Sequence, residues 1–184
     1  AMAILSLAQH ESAYGMSDRA QKQNNLFGLR VFDNNPDNIE YLSVEKNIDS
    51  LIDNYFNKNY IPPTAPYAYG AAFGNKAQGM NVKYASDPFW GAKAAGHWYR
   101  ADKLMGGKDF ARHRLAFTNT TGLNVRSGAS TSNQLLFTYR YQQMPVIVVG
   151  DVANSPWKKI ISDDGKYGEV FVHGQYLTEL NVVK

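Results

Sequence analysis

The sequence predicts an α+β protein of two domains, a mainly helical one over residues 1–113 followed by a small all-β one over 114–184. Two observations carry that reading. Apolar residues recur at helical spacing in several stretches before His113, and beyond it short β-branched and aromatic runs alternate with turns. A length of 184 residues is enough to bury a sizeable core in one large or two small domains.

Residues 2–13 read as the opening helix, with Gly15 placed to supply the positive φ of a C-terminal cap. A second, short helix is expected from an N-cap at Ser17 or Asp18 to about Gln23, stopped by Asn24-Asn25. Leu26 to Phe32 alternates poorly and leads into the turn-forming run Asp33-Asn34-Asn35-Pro36-Asp37-Asn38, so an irregular segment or short strand is expected there. The clearest helix spans 44–58, where Val44, Ile48, Leu51, Ile52, Tyr55 and Phe56 form one apolar face and Ser43 caps the start. Pro62-Pro63 and Pro66 break the chain. A Gly- and Tyr-rich loop with a short helix near Gly70 to Phe73 is expected over 64–83. Asp87-Pro88 starts a last helix with Asp as N-cap and Pro in the first turn, Trp90, Ala94, Ala95, Trp98 and Met105 form its face, and Gly106-Gly107 ends it.

In the second domain, strands are expected at Leu123–Arg126, Leu135–Arg140, Val146–Val149, Trp157–Ile161 and Gly168–Val172. The turns Ser127-Gly128 and Asp163-Asp164-Gly165 fall between them at short, regular intervals, which predicts a small antiparallel barrel.

Composition narrows the function. The formal net charge is +3, divided as 12 basic and 11 acidic side chains up to residue 113 and 7 and 5 after it. That spread excess, with no basic run, argues against a nucleic-acid partner. There is no cysteine, hence no disulfide framework and no thiolate chemistry. His10, His97, His113 and His173 show no paired ligand spacing, so no metal and no cofactor are expected. No apolar run approaches a membrane span and no signal peptide is recognisable, while the abrupt opening inside a helical pattern predicts that an upstream part is missing. With 12 Tyr, 9 Phe and 3 Trp, the chain is rich in rings suited both to core packing and to stacking on sugars.

One carboxyl stands out locally. Ile4, Leu7 and Ala8 precede Glu11 by seven, four and three positions, so on a helix they share its face and would set its carboxyl against apolar groups. Partial desolvation favours the protonated form, which a general acid needs. The competing reading is an exposed or salt-bridged Glu at a helix end.

Three blocks, taken together and in order, extend beyond local pattern. They are Gln9-His10-Glu11-Ser12-Ala13-Tyr14-Gly15 with Ser17, then Asn24-Asn25-Leu26-Phe27-Gly28, then Gly74-Asn75-Lys76-Ala77 through Tyr84-Ala85-Ser86-Asp87-Pro88 to Trp90-Gly91. This combination resembles glycoside hydrolase family 73, bacterial endo-β-N-acetylglucosaminidases that cut peptidoglycan. A second set, Thr121-Gly122-Leu123-Asn124-Val125-Arg126-Ser127-Gly128 with Trp157-Lys158-Lys159-Ile160, Gly165-Lys166 and Tyr176-Leu177, is similar to bacterial SH3 domains, which serve as cell-wall binding modules. It departs from them at Glu169, where Trp is usual.

The resemblance implies a lysozyme-like helical fold, an SH3-like barrel and hydrolysis of the bond from N-acetylglucosamine to N-acetylmuramic acid. It places the catalytic acid at Glu11, a site-lining tyrosine at Tyr84 and, in the branch the third block matches, a second carboxylate at Asp33. Glu40 and Glu45 are the alternatives for that carboxylate in branches with a longer hairpin, and the substrate's own 2-acetamido group is a further one. Tyr14, Asn24, Asn25, Tyr67, Tyr69, Phe89 and Trp90 are candidate substrate-binding residues. Asn24 and Asn25 can equally fix the backbone after the short helix, and several of the rings can equally be core. The partners implied are peptidoglycan glycan strands and, for the SH3-like module, cell-wall peptide. A secreted, wall-associated monomer of a Gram-positive bacterium is expected. A lytic transglycosylase or muramidase on the same polymer, or a wall-binding fragment without activity, remain the alternatives.

Overall fold

The structure is a computed structural model that describes residues 1–31 and 39–180. A helical part runs to Leu104 and is followed by seven antiparallel strands, an α+β chain in two parts.

Helix α1, Met2–Ser12, buries Leu7 and Ala8 and packs along α4, Trp90–Leu104. Its end differs from the expectation. Left-handed backbone begins at Ala13 (φ 49°) and continues through Tyr14 (φ 59°) to Gly15 (φ 84°), so two residues with a Cβ share the turn that glycine was expected to make alone. The buried Ser12 holds this turn, its hydroxyl donating to the Ala8 carbonyl at 3.0 Å and accepting from the Gly15 N–H at 3.0 Å. Helix α2, Asp18–Gln23, starts at the Ser17 cap, whose hydroxyl accepts from the Ala20 N–H.

Ser43 likewise caps α3, Val44–Ser50. From Leu51 to Tyr60 the same helix widens to i→i+5 hydrogen bonding. The widening changes which residues face inward. Leu51, Phe56 and Tyr60 are buried, at intervals of five and four, whereas Val44 is exposed and Ile48, Ile52 and Tyr55 are only partly covered. The helix expected near Gly70 to Phe73 does not form, and a single 3₁₀ turn at Met80–Val82 takes its place.

The last helix starts two residues later than its Asp-Pro signal places it. Asp87 makes a tight turn instead of the cap itself, accepting from the Phe89 N–H at 2.8 Å, and Trp90 is the first helical residue. The helix approaches the 74–79 loop so closely that a Cβ on Gly91 would lie 1.9 Å from the Gly74 carbonyl oxygen. Of the expected face, Trp90 and Ala94 are buried and Trp98 is partly so, while Ala95 and Met105 are exposed.

The strands are β1 Arg114–Thr118, β2 Leu123–Arg126, β3 Leu135–Tyr139, β4 Pro145–Asp151, β5 Trp157–Ile161, β6 Glu169–His173 and β7 Leu177–Glu179, ordered β3-β2-β6-β5-β4-β1-β7. The five expected strands are present, and β1 and β7, which lack strong alternation, are additional. Inward residues alternate along β2, β3 and β6 and over Val146–Val148 of β4, while β5 buries Trp157 and Ile160 three positions apart, giving a core of Val125, Val146, Val148, Ile160, Val170 and Val172 around Tyr139. The two parts meet where Tyr69 stacks on Tyr141 at 4.8 Å, Gly70 lies against Pro145 and Arg140 donates to the Thr64 carbonyl at 3.1 Å.

Candidate active site

Glu11 sits at the end of α1, one residue before its last, and its side chain is exposed. The expected apolar setting is therefore only half realised. Leu7 and Ala8 turn into the core, but the helix stops just beyond Glu11 and the carboxylate emerges beside α4. There Oε1 accepts a hydrogen bond from Nε1 of Trp90 at 2.9 Å. Among the described residues this is the one hydrogen bond to the Glu11 side chain.

Trp90 is 3% exposed, so it is not the open stacking platform that its aromatic character suggested. Its ring meets Phe73 edge-on at 5.6 Å and lies 4.5 Å from the ring of Tyr84. Tyr84 in turn contacts Tyr60 at 5.4 Å and Phe56 at 6.0 Å, and Tyr60 contacts Tyr67 at 5.6 Å. The widened turn after Leu51 is what brings both Phe56 and Tyr60 to this ring cluster. Burial first, and the charge of the Glu11 carboxylate second, push the Tyr84 hydroxyl well above the ordinary tyrosine range. Tyr84 thus stays an uncharged hydroxyl beside a carboxylate.

The loop carrying Tyr84 is built on Asn81, which is fully buried. Its amide donates to the Asp87 carbonyl at 2.9 Å and accepts from the Ala85 N–H at 3.2 Å, and Lys76 donates to the carbonyls of Asn81 and Ala85. On the other flank of Glu11, His10 lies 5.7 Å from His97 of α4. The histidines were separate along the chain, and no local signal foretold this pair. Burial and then the Arg100 and His10 charges lower the His97 pKa, while Lys93 and the Phe89 N–H hold Asp87 below the usual carboxylate range.

The other candidates divide. Tyr14 and Phe89 are 53% and 66% exposed and remain available to a ligand, as does Tyr67. For Asn25 the geometry matches the backbone-fixing alternative. At 1% exposure, its side chain bonds both the N–H and the carbonyl of Leu29 at 3.0 Å and accepts from Asn47, so it holds the Leu-Phe-Gly turn and faces no solvent. Asn24 donates to the Tyr41 carbonyl at 2.8 Å and adopts left-handed backbone, again a fixing role. Tyr69 is half-buried, with its ring stacked on Tyr141 of the β part. Asp33 lies outside the described residues. Glu40 and Glu45 are both exposed, Glu45 in the first turn of α3.

Residues 1–103, which contain every one of these groups outside Tyr141, match the glucosaminidase family, described as mannosyl-glycoprotein endo-beta-N-acetylglucosaminidase. The chain belongs to that family. Two proteins from strains of Streptococcus pneumoniae, both provisionally named endo-beta-N-acetylglucosaminidase, are 37% identical to it over 114 residues. That stretch is 59% of this chain but only 16% and 15% of the two relatives, so the chain spans a small part of their length. The glucosaminidase match ends in the last turn of α4. Among the described residues there is no group of three or more metal-binding side chains, and no helix is long and apolar enough to cross a membrane.

Proposed function

We propose that the chain is a peptidoglycan hydrolase that cleaves the β-1,4 bond between N-acetylglucosamine and N-acetylmuramic acid. The observation that carries this reading is the juxtaposition of a carboxyl, Glu11, with a neutral buried-loop tyrosine, Tyr84, across one indole, in a chain of the glucosaminidase family. Glu11 acts as general acid and protonates the leaving oxygen. Tyr84, held uncharged, turns the lone pairs of its hydroxyl oxygen toward the anomeric carbon as positive charge develops there. Asp33 is the second carboxylate and activates water, with the substrate acetamido group as the alternative partner. Exposed Tyr14, Tyr67 and Phe89 supply stacking surface for flanking sugars.

In this reading residues 1–113 form the lysozyme-like catalytic domain and 114–184 an SH3-like barrel that holds the protein on the wall by its peptides. A cavity of about 460 Å³ lined by Asn124, Arg126, Trp157, His173 and Tyr176 supports the second role. It combines aromatic edges, hydrogen-bonding groups and one cation, a chemistry that suits a peptide with free carboxylates. The protein would work outside a Gram-positive cell, on the wall.

Mass spectrometry of fragments released from purified walls tests the bond assignment. Reducing N-acetylglucosamine ends are expected; anhydro- or reducing muramic ends would replace the proposal with a transglycosylase or a muramidase. For the β part, Tyr176→Ala with His173→Ala is expected to lower co-sedimentation with walls while sparing cleavage of soluble fragments. Unchanged co-sedimentation would make the module a spacer.

A further inference from the structure

We propose that Trp90 is a positioning residue that divides the labour of the two Glu11 oxygens, Oε1 serving as fixed acceptor and Oε2 carrying the proton that is delivered. The inference rests on the general-acid reading of Glu11 above.

An indole N–H is a donor only and never accepts. The oxygen it points at must offer a lone pair, which the carbonyl oxygen of a carboxylic acid does and its hydroxyl does poorly. When Glu11 is protonated, the indole at Oε1 therefore leaves the proton on Oε2. Nothing else among the described residues competes for the assignment, because no other side chain or backbone group bonds the carboxyl.

The indole can do this because it cannot move. Its ring is clamped between Phe73 and Tyr84, and the residue after it, Gly91, is seated against the Gly74 carbonyl with no room for a methyl group. Glu11 is the opposite, an exposed side chain at a helix end whose rotamers are otherwise free. A rigid donor thus orders a flexible acid. The ordering acts on the reacting geometry and not on affinity for the glycan, since the indole is buried behind the carboxyl. The turn that follows, left-handed at Ala13 and Tyr14 and tied by Ser12, fixes the backbone side of the same residue.

The test replaces Trp90 by 3-benzothienylalanine, in which sulfur takes the place of the indole N–H and the ring shape is kept. A 5-fluorotryptophan variant, which retains the N–H, serves as control. The expected result for the sulfur isostere is a fall in kcat of about tenfold, with KM within about twofold and an unchanged melting temperature, as fits loss of one charge-assisted hydrogen bond. The fluorinated variant stays within about twofold of wild type. Wild-type kcat in the sulfur isostere overturns the inference, as does an equal loss in both variants. Glu11→Gln, measured alongside, separates the two levels. If it is inactive while the isostere keeps full kcat, only the role of Trp90 fails; if it is fully active, the general-acid reading itself fails.

Discussion

The indole of Trp90 donates to the carboxylate of Glu11 at 2.9 Å, joining residues 79 positions apart and setting the end of α1 against the start of α4. Both ends of this bond sit on unusual backbone. Glu11 precedes two left-handed residues, and Trp90 precedes a glycine pressed onto a carbonyl oxygen. The site is thus a product of packing between distant segments.

Gly91→Ala tests that packing. In a helix the substitution should stabilise by up to about 1 kcal/mol through propensity, yet here the added methyl would fall 1.9 Å from the Gly74 oxygen, which is backbone and cannot rotate away. Overpacking of this kind costs about 1–3 kcal/mol and wins. A lowered urea midpoint is expected, together with a loss of activity larger than the loss of stability explains, because α4 must shift and carry Trp90 with it. A neutral or raised midpoint would contradict the close approach.

Asn25→Ala is expected to damage folding and leave substrate affinity alone. The substitution strips partners from the Leu29 N–H and carbonyl and from Asn47, all in a buried site. These three polar groups, at about 1–3 kcal/mol for each that finds no new partner, set the scale. Urea denaturation gives the stability change, and KM on soluble glycan should stay within about twofold for whatever fraction folds. A raised KM without lost stability would return Asn25 to the substrate site.

Tyr84→Phe separates the hydroxyl from the ring. The ring contacts with Trp90 and Tyr60 survive, so stability should change by less than about 1 kcal/mol, while kcat falls by about 10- to 100-fold if the hydroxyl oxygen stabilises the developing positive charge. Because burial and Glu11 hold the hydroxyl above the ordinary tyrosine range, its ionisation should contribute nothing to the activity profile below about pH 10. Full activity in the variant would reduce Tyr84 to a packing residue.

The helical pattern and the strands of the β core were legible in the sequence because each depends on spacing within a short window, whereas Glu11 was singled out by the motifs that accompany it downstream more than by its own neighbours. What was not legible depends on contacts across the chain. The burial of Trp90 and the Glu11 bond come from two motifs whose separation carries no local signal. Asn25 and Tyr69 left two readings open in the sequence, and the partners that decide between them, Leu29 and Asn47 for one and Tyr141 for the other, come only with the fold. The widened helix after Leu51 was missed for a different reason. Val44, Ile48, Leu51, Ile52 and Tyr55 fit ordinary helical spacing, and burial of Phe56 and Tyr60 by the Tyr84 loop selects the wider turn.

Asp163 predicts a pH dependence of stability. Its Oδ2 and the Tyr139 hydroxyl are buried without a hydrogen-bond partner of good geometry. Burial pushes the carboxyl up to about 7, and the nearby Tyr139 hydroxyl and Ala71 N–H oppose the shift only in part. A carboxyl with a folded pKa above its unfolded value of about 4 binds more protons folded than unfolded between those limits. Stability therefore falls as pH rises from about 4 to about 7 and levels off above. In Asp163→Asn, which stays neutral, the melting temperature should lose this component of its pH slope. An unchanged slope would show that another group titrates there.

The central claim is that Glu11 supplies the proton for glycan cleavage. Glu11→Gln keeps the side-chain shape and the carbonyl that the Trp90 indole holds, but has no proton to give. Muropeptide release from purified walls is the direct measurement. The account predicts that release falls by at least about 100-fold, with an unchanged melting temperature and unchanged wall binding, whereas release at the wild-type rate by the folded variant would contradict it.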